Sequence, residues 1–135
     1  MSKDYQNRGD TNKVRIIGCV FSDPEELETK GGSLMARLKV PTARYWFDRR
    51  RGEERSNTQW HTVLFYGRLA EVVLREVVKN DRIMVDGSLE YYLYTDEATG
   101  ETGRIAQLTA HEFAVVGEQQ DPNEYYLYRE NSKRE

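Results

Sequence analysis

The chain has 135 residues, of which 38% are hydrophobic and 32% charged, a balance that fits one domain with a well-solvated surface and short extensions. No apolar run approaches the roughly eighteen residues of a membrane span, and the opening MSKDYQNRGDTNK, with its aspartates and no apolar core, is unlike a secretory signal or transit peptide. The net charge of −3 argues against a simple phosphate-clamping protein, but the charges cluster, with Arg49, Arg50, Arg51 and Arg55 set against Glu25, Glu26 and Glu28.

Residues 1 to 11 are polar and aperiodic and read as a flexible N-terminal arm. Val14–Phe21 is rich in β-branched and apolar residues and reads as a strand, with Gly18 a bulge or a point of close approach. The single cysteine, Cys19, lies in this run and reads as a buried small hydrophobe. It excludes an internal disulfide and points to a reducing compartment, hence the cytoplasm. Asp23-Pro24 and Lys30-Gly31-Gly32 are turn signals. Between them the acidic group Glu25, Glu26 and Glu28 reads as a solvated loop. In Ser33–Val40 the apolar residues Leu34, Ala36, Leu38 and Val40 alternate as in a strand, which Pro41 is expected to interrupt.

FDRRRGEERSNTQ, between Trp46 and Trp60 and centred on Gly52, reads as the exposed tip of a long hairpin, with Gln59–Tyr66 as its return strand. From Arg68 to Lys79 the period changes: Leu69, Ala70, Val73, Leu74 and Val77 lie at helical spacing, and Glu71 with Arg75 makes an i,i+4 pair. Asn80 is the expected stop. Arg82–Tyr94 is another strand, with Gly87 suggesting a bulge; Asp96–Gly103 is a turn-rich loop and Arg104–Val116 the last strand. Residues 118–135 read as a C-terminal tail. Three strands, one helix and two strands make an all-β chain with one short helix, the layout of a five-stranded OB-fold barrel. An open sheet of the same strands is the alternative.

Trp60 and Tyr66 are six apart and share one strand face, whereas His61, Val63 and Phe65 share the other, which suits a core or a subunit contact. In EYYLY at 90–94 the same alternation puts Glu90, Tyr92 and Tyr94 together. Trp46 opens the charged hairpin. Aromatics beside arginines suit a single-strand binder, because every base has a π-face to stack and arginines track the phosphates. A lone strand tyrosine is more simply a sheet filler; Trp46, Trp60, Tyr66 and Tyr94 together favour binding. The RRRGEER segment has its own plain reading as a tip whose charges balance locally, set against contact with a DNA backbone. Two histidines and one cysteine, far apart, give no zinc spacing, and no P-loop or G-x-S-x-G occurs. Neither cofactor, metal nor catalysis is expected.

Several stretches together carry a resemblance: NKVRIIG at 12–18, SDPE at 22–25, KGG at 30–32, TQWHTVLFYGRLAEV at 58–72, DGSLEYYLYTDEATGE at 86–101 and a closing strand near 108–116. From about residue 12 to 117 the chain resembles the bacterial-type single-stranded DNA-binding protein (SSB) family, most specifically in the W-H-x-V-x-x-aromatic-G-[KR]-L-A-E run. The resemblance implies an OB-fold domain over 12–117 that wraps single-stranded DNA and assembles as a homotetramer, or a dimer in some relatives. It implies stacking by Trp46, Trp60, Tyr66 and Tyr94, with tyrosine replacing the more usual Phe at the third position and Trp at the fourth. It implies DNA-backbone contacts at Arg68 and Lys79, to which Arg49, Arg50, Arg51 and Arg55 on the hairpin are added as candidates. His61 matches a histidine at a subunit contact.

Two departures stand out. The basic residues often found before the fourth aromatic are replaced by Tyr92 and Leu93, with acidic Glu90 nearby, so a shallow salt dependence is expected. The sequence ends in YRENSKRE and not in the family's acidic tip, so tip-mediated recruitment of repair enzymes is not expected and a plasmid, phage or specialised copy is suggested. The leading reading is sequence-independent protection of single-stranded DNA in replication, recombination and repair, in the cytoplasm at the nucleoid. The alternatives are a partner-recruiting OB-fold accessory protein of replication restart and a small nuclease using the acidic loops. The second EYYLY, at 124–128, is too apolar for an ordinary disordered tail and is expected to add a strand or pack on a neighbouring subunit.

Overall fold

The computed structural model describes residues 9–117 and 127–129; the rest of the expected arm and tail lies outside these. The elements are β1 (Val14–Cys19), β2 (Glu25–Glu28), β3 (Leu34–Asp48), β4 (Glu53–Tyr66), α1 (Gly67–Glu76), β5 (Arg82–Thr95), β6 (Thr102–Val115) and β7 (Tyr128–Arg129). The hydrogen-bonded path runs β1-β5-β6-β4-β3-β2, with β7 added to β6. β4 and β6 run parallel at Val63–Leu108 and Leu64–Thr109, and every other pair is antiparallel. The path is an open series, but the segment after β1 approaches β3: the Phe21 N–H donates to the Lys39 carbonyl at 3.0 Å. A β-carbon on Gly18 would stand 2.7 Å from the Pro41 oxygen, so only glycine lets β1 come this close to β3. The five long strands and the helix are those of an OB-fold.

Strand alternation accounts for the core. On β1, Ile16 and Gly18 face in while Arg15, Ile17 and Cys19 face out. Cys19 is therefore exposed and not buried as the apolar run suggested; its position in the period, and not its neighbours' hydrophobicity, decides its face. Phe65 of β4 and Phe113 of β6 meet edge to face at 5.5 Å in the centre, both fully buried with Leu38, Leu69 and Ile83. The helix buries Leu69, Ala70, Val72 and Val73. It starts directly after β4 because Gly67 takes φ 59°, a left-handed conformation that a side chain disfavours. It ends at Glu76, earlier than expected, and Asn80 sits beyond it with φ 78°.

Three boundaries differ from the sequence expectation. The acidic segment at 25–28 is a strand, because the turn closed by Gly32 N–H on the Thr29 carbonyl folds it onto β3. Its charges sit on a sheet edge, where they blunt further pairing. Pro41 does not interrupt β3, which continues to Asp48. Lys39 turns its carbonyl away from β4 to Phe21, and two residues on Pro41 presents the same side, where no ladder bond needs its missing N–H. The hairpin tip shrinks to 49–52, and β3 stays paired with β4 out to Asp48–Glu53. The bulge at Gly87 is present as a register shift between Asp86 and Gly87, and the unpaired extra residue is His111 on β6.

The end of the second EYYLY does add a strand. Tyr128 and Arg129 pair with Phe113 and Glu112, Tyr128 stacks on Phe113 at 4.9 Å, and Arg129 Nε lies 3.1 Å from Glu112 Oε1. Glu112 is also hydrogen-bonded to Asp86; burial and that bond push its carboxyl up, against the pull of Arg129. Asp86 is held low chiefly by Arg15, whose Nε and Nη2 donate to its two oxygens at 2.6 and 2.8 Å.

Candidate nucleic-acid interface

Beyond the core, β3–β4 and β5–β6 continue as two overhanging two-stranded ribbons, and register decides which side chains share a face. On β3–β4 the pairs Met35–Tyr66, Arg37–Leu64, Pro41–Trp60, Tyr45–Ser56 and Phe47–Glu54 lie on the outer face. Trp60 and Tyr66 are thus together, both exposed. Trp46 is not with them: it pairs with Arg55, an odd number of residues away, and projects from the opposite face. There the Arg44 guanidinium lies 4.7 Å over its ring, a cation–π contact that holds the indole on the ribbon.

On β5–β6 the outer face carries Glu90–Gln107, Tyr92–Ile105 and Tyr94–Gly103. Tyr94 lies on the backbone of Gly103, where a β-carbon would meet its hydroxyl oxygen at 2.6 Å. Tyr91 and Leu93 take the other face, where Arg104 stacks over Tyr91 at 4.6 Å.

Between the ribbons is a groove of about 320 Å³, floored by Met35 and Leu64 and walled by Tyr66, Glu90 and Tyr92. Leu64 is buried yet outside the barrel core, covered by the groove's walls. Gln107 lines this groove and also the adjoining cleft of Trp60. One outer track therefore runs from Trp60 past Gln107 to Tyr66 and Tyr92, and on to Tyr94. Burial, and then the charge of Glu90, push the Tyr66 hydroxyl above its ordinary pKa, so it stays a neutral donor at any ordinary pH.

The basic residues are distributed less favourably. Arg51 and Arg55 lie 3.9 and 3.7 Å from the Asp48 carboxylate, and Arg55 lies 3.8 Å from Glu53. Asp48 also accepts the backbone N–H groups of Arg50 and Arg51, which orders the tip. The local charge balance read from RRRGEER is thus present for those two arginines, while Arg49 and Arg50 are exposed at the tip. Arg68 is exposed in the first turn of α1, just after Tyr66. Lys79 stands apart, in the turn after α1, its N–H donating to Asp23 at 2.8 Å. His61 faces inward at the base of the ribbon and shares a 2.8 Å hydrogen bond with the Thr42 hydroxyl; burial lowers its pKa.

Phe21, Arg44, Tyr45, Phe47, Tyr92 and Arg104 were not among the sequence candidates, yet each is exposed on or beside the ribbons. Alternation along EYYLY already placed Tyr92 with Tyr94. Phe21 had no such signal, because its ring meets Trp60, distant in sequence, at 5.0 Å.

The single-strand binding protein family model matches residues 11–116. Single-stranded DNA-binding protein 1 of Xylella fastidiosa (strain 9a5c) is 32% identical over 112 residues, covering 83% of this chain and 82% of that protein. The single-stranded DNA-binding protein of Rhizobium meliloti (strain 1021) is 38% identical over 90 residues, 66% of this chain and 52% of that one. In structure the chain is similar to a Plasmodium falciparum SSB in complex with single-stranded DNA, with a TM-score of 0.66, 25% identity, and coverage of 75% of this chain and 87% of the other. All three carry the name of a single-stranded DNA-binding protein, and none that of a replication-restart accessory protein of the kind weighed from the sequence. With a family match across nearly the whole folded domain and an aromatic track on its two ribbons, this chain belongs to the single-strand binding protein family.

Proposed function

We infer that the chain binds single-stranded DNA without sequence preference, protecting it during replication, recombination and repair. The observation that carries this reading is the outer face of Trp60, Tyr66, Tyr92 and Tyr94, with Tyr66 and Tyr92 lining one groove and Trp60 the adjoining cleft, since exposed rings on paired strands offer successive bases a stacking surface. Trp60, Tyr66 and Tyr94 stack bases along the track. Trp46 stacks a base on the opposite face, so the strand passes around the hairpin and not along one side of it. Arg49 and Arg50 at the tip, with Arg68 beside Tyr66, contact phosphates; Arg51 and Arg55 do so by exchanging their loose pairs with Asp48 for the DNA. Lys79 extends the contact toward the far side of the barrel.

The protein acts by binding and not by catalysis. It assembles as a homotetramer, a dimer being the smaller form, with His61 at a subunit contact, and it works in the cytoplasm at the nucleoid. Residues 12–117 form the binding domain. Titration with an oligo-dT length series tests this, reading tryptophan quenching while light scattering follows molar mass. Saturable quenching with equal affinity for mixed-sequence strands is expected. Absence of quenching, or strong preference for duplex, would overturn the reading.

A further inference from the structure

We propose that Phe21 and Trp60 together form a nucleobase-binding corner, making Phe21 a DNA-contacting residue beyond the four stacking aromatics named above. The proposal rests on the single-strand-binding reading and adds a contact to it.

Phe21 is an unusual place for a phenyl ring. It is 54% exposed and lies outside any strand, just after β1. Its ring meets that of Trp60, itself 58% exposed, at 5.0 Å between centroids with the planes at 88°. Two exposed rings at right angles make a corner with two apolar walls. A planar base laid on either ring presents its edge to the other, and so gains a stacked and an edge-to-face contact at once, both favoured aromatic geometries.

The backbone holds that corner rigidly. Val20 donates its N–H to the Asp81 carbonyl at 2.8 Å and accepts the Asn80 N–H at 2.9 Å. Phe21 donates to Lys39 at 3.0 Å, and Asp23 accepts the Lys79 N–H at 2.8 Å. A backbone fixed on both flanks in this way has little to reorganise when a ligand arrives, which is how a preformed site gains affinity. Cations are at hand for the strand's phosphates. Lys39 is exposed on the outer face, two residues before the Pro41 that pairs with Trp60, and Lys79 is tied to the same segment through Asp23. An exposed apolar corner with lysines on the neighbouring segments suits a nucleotide better than an aliphatic side chain.

The test uses the full chain with oligo-dT carrying 5-bromodeoxyuridine. After irradiation and trypsin, Phe21 falls in the peptide spanning residues 16–30, where it is the only aromatic, whereas Trp60 falls in residues 56–68. A base adduct assigned to Phe21 by fragment masses is expected, together with about tenfold weaker oligo-dT binding by Phe21→Leu and recovery by Phe21→Trp. Equal binding by Phe21→Leu and wild type overturns the proposal. So does an adduct found only at 56–68, which would leave Phe21 merely propping Trp60. Wild type failing to bind oligo-dT at all overturns the underlying reading as well.

Discussion

Tyr94 lies across the backbone of its register partner Gly103, so close that a β-carbon there would meet the tyrosine hydroxyl at 2.6 Å and two ring carbons at 2.7 Å. The obstacle is the end of a flexible side chain and not backbone. Gly103→Ala therefore leaves the ribbon paired but turns the Tyr94 ring off its seat. Stability should change by no more than about 0.5 kcal/mol. Oligo-dT affinity should fall severalfold, toward but not beyond the loss from Tyr94→Ala of about 1–3 kcal/mol. Urea melts and fluorescence titrations of both variants check this, and an unaltered affinity in Gly103→Ala would count against Tyr94 as a platform.

His61 offers a pH test. Burial lowers its pKa in the folded chain, so the unfolded chain takes up a proton first, near its ordinary value of about 6.5. The stability contributed by the neutral ring is complete above that value and is lost as pH falls toward the lower folded pKa. His61→Gln removes the titration while leaving a side chain able to bond Thr42. Denaturation profiles from about pH 7 down to about pH 5 should slope less in the variant than in wild type.

The tail strand makes a stability prediction. Tyr128 stacks on fully buried Phe113 with the rings 27° apart, and it packs against the core. Tyr128→Ala should cost about 1–2 kcal/mol in urea denaturation, combining a lost aromatic pair with lost burial. Oligo-dT affinity should be unchanged, because Tyr128 lies on the β6 edge beside α1 and away from the groove. A matching loss of DNA affinity would mean that the tail acts on the interface and not only on the fold.

The sequence made the fold legible because alternation and helical spacing are local. Ile16, Leu38, Phe65 and Leu69 are buried as their periods require. Cys19 shows the limit of reading hydrophobicity without period, and Pro41 the limit of reading a breaker without knowing which side of the strand is paired. The site was legible where one strand carries it, as with Trp60 and Tyr66. It was not legible where register between strands decides the face. The separation of Trp46 from Trp60 depends on the pairing Trp46–Arg55; the corner with Phe21 depends on the approach of the segment after β1 to β3. Neither is encoded within a window of a few residues.

Glu90 leads to the last prediction. It lines the groove with Tyr66 and Tyr92, and its charge is close enough to raise the Tyr66 pKa, so it also repels an incoming phosphate. Other charges are committed internally: Arg37 to Glu25 at 2.8 Å and Arg15 to Asp86 at 2.6 Å. For single strands log K falls with log salt by about 0.7 per phosphate neutralised. With Glu90 in the groove and Arg37, which also lines it, paired to Glu25, the slope should be shallow for a chain of this family, its affinity coming mainly from stacking. Glu90→Gln removes the repulsion without adding a cation, and should tighten oligo-dT binding severalfold at low salt and much less at high salt, since screening already weakens the effect there. Glu90→Lys adds a phosphate contact and should steepen the slope by about 0.7. Affinities of the three proteins across one salt series decide it: a steep wild-type slope, or no response to either substitution, would show that phosphate contacts dominate and that Glu90 lies off the DNA path.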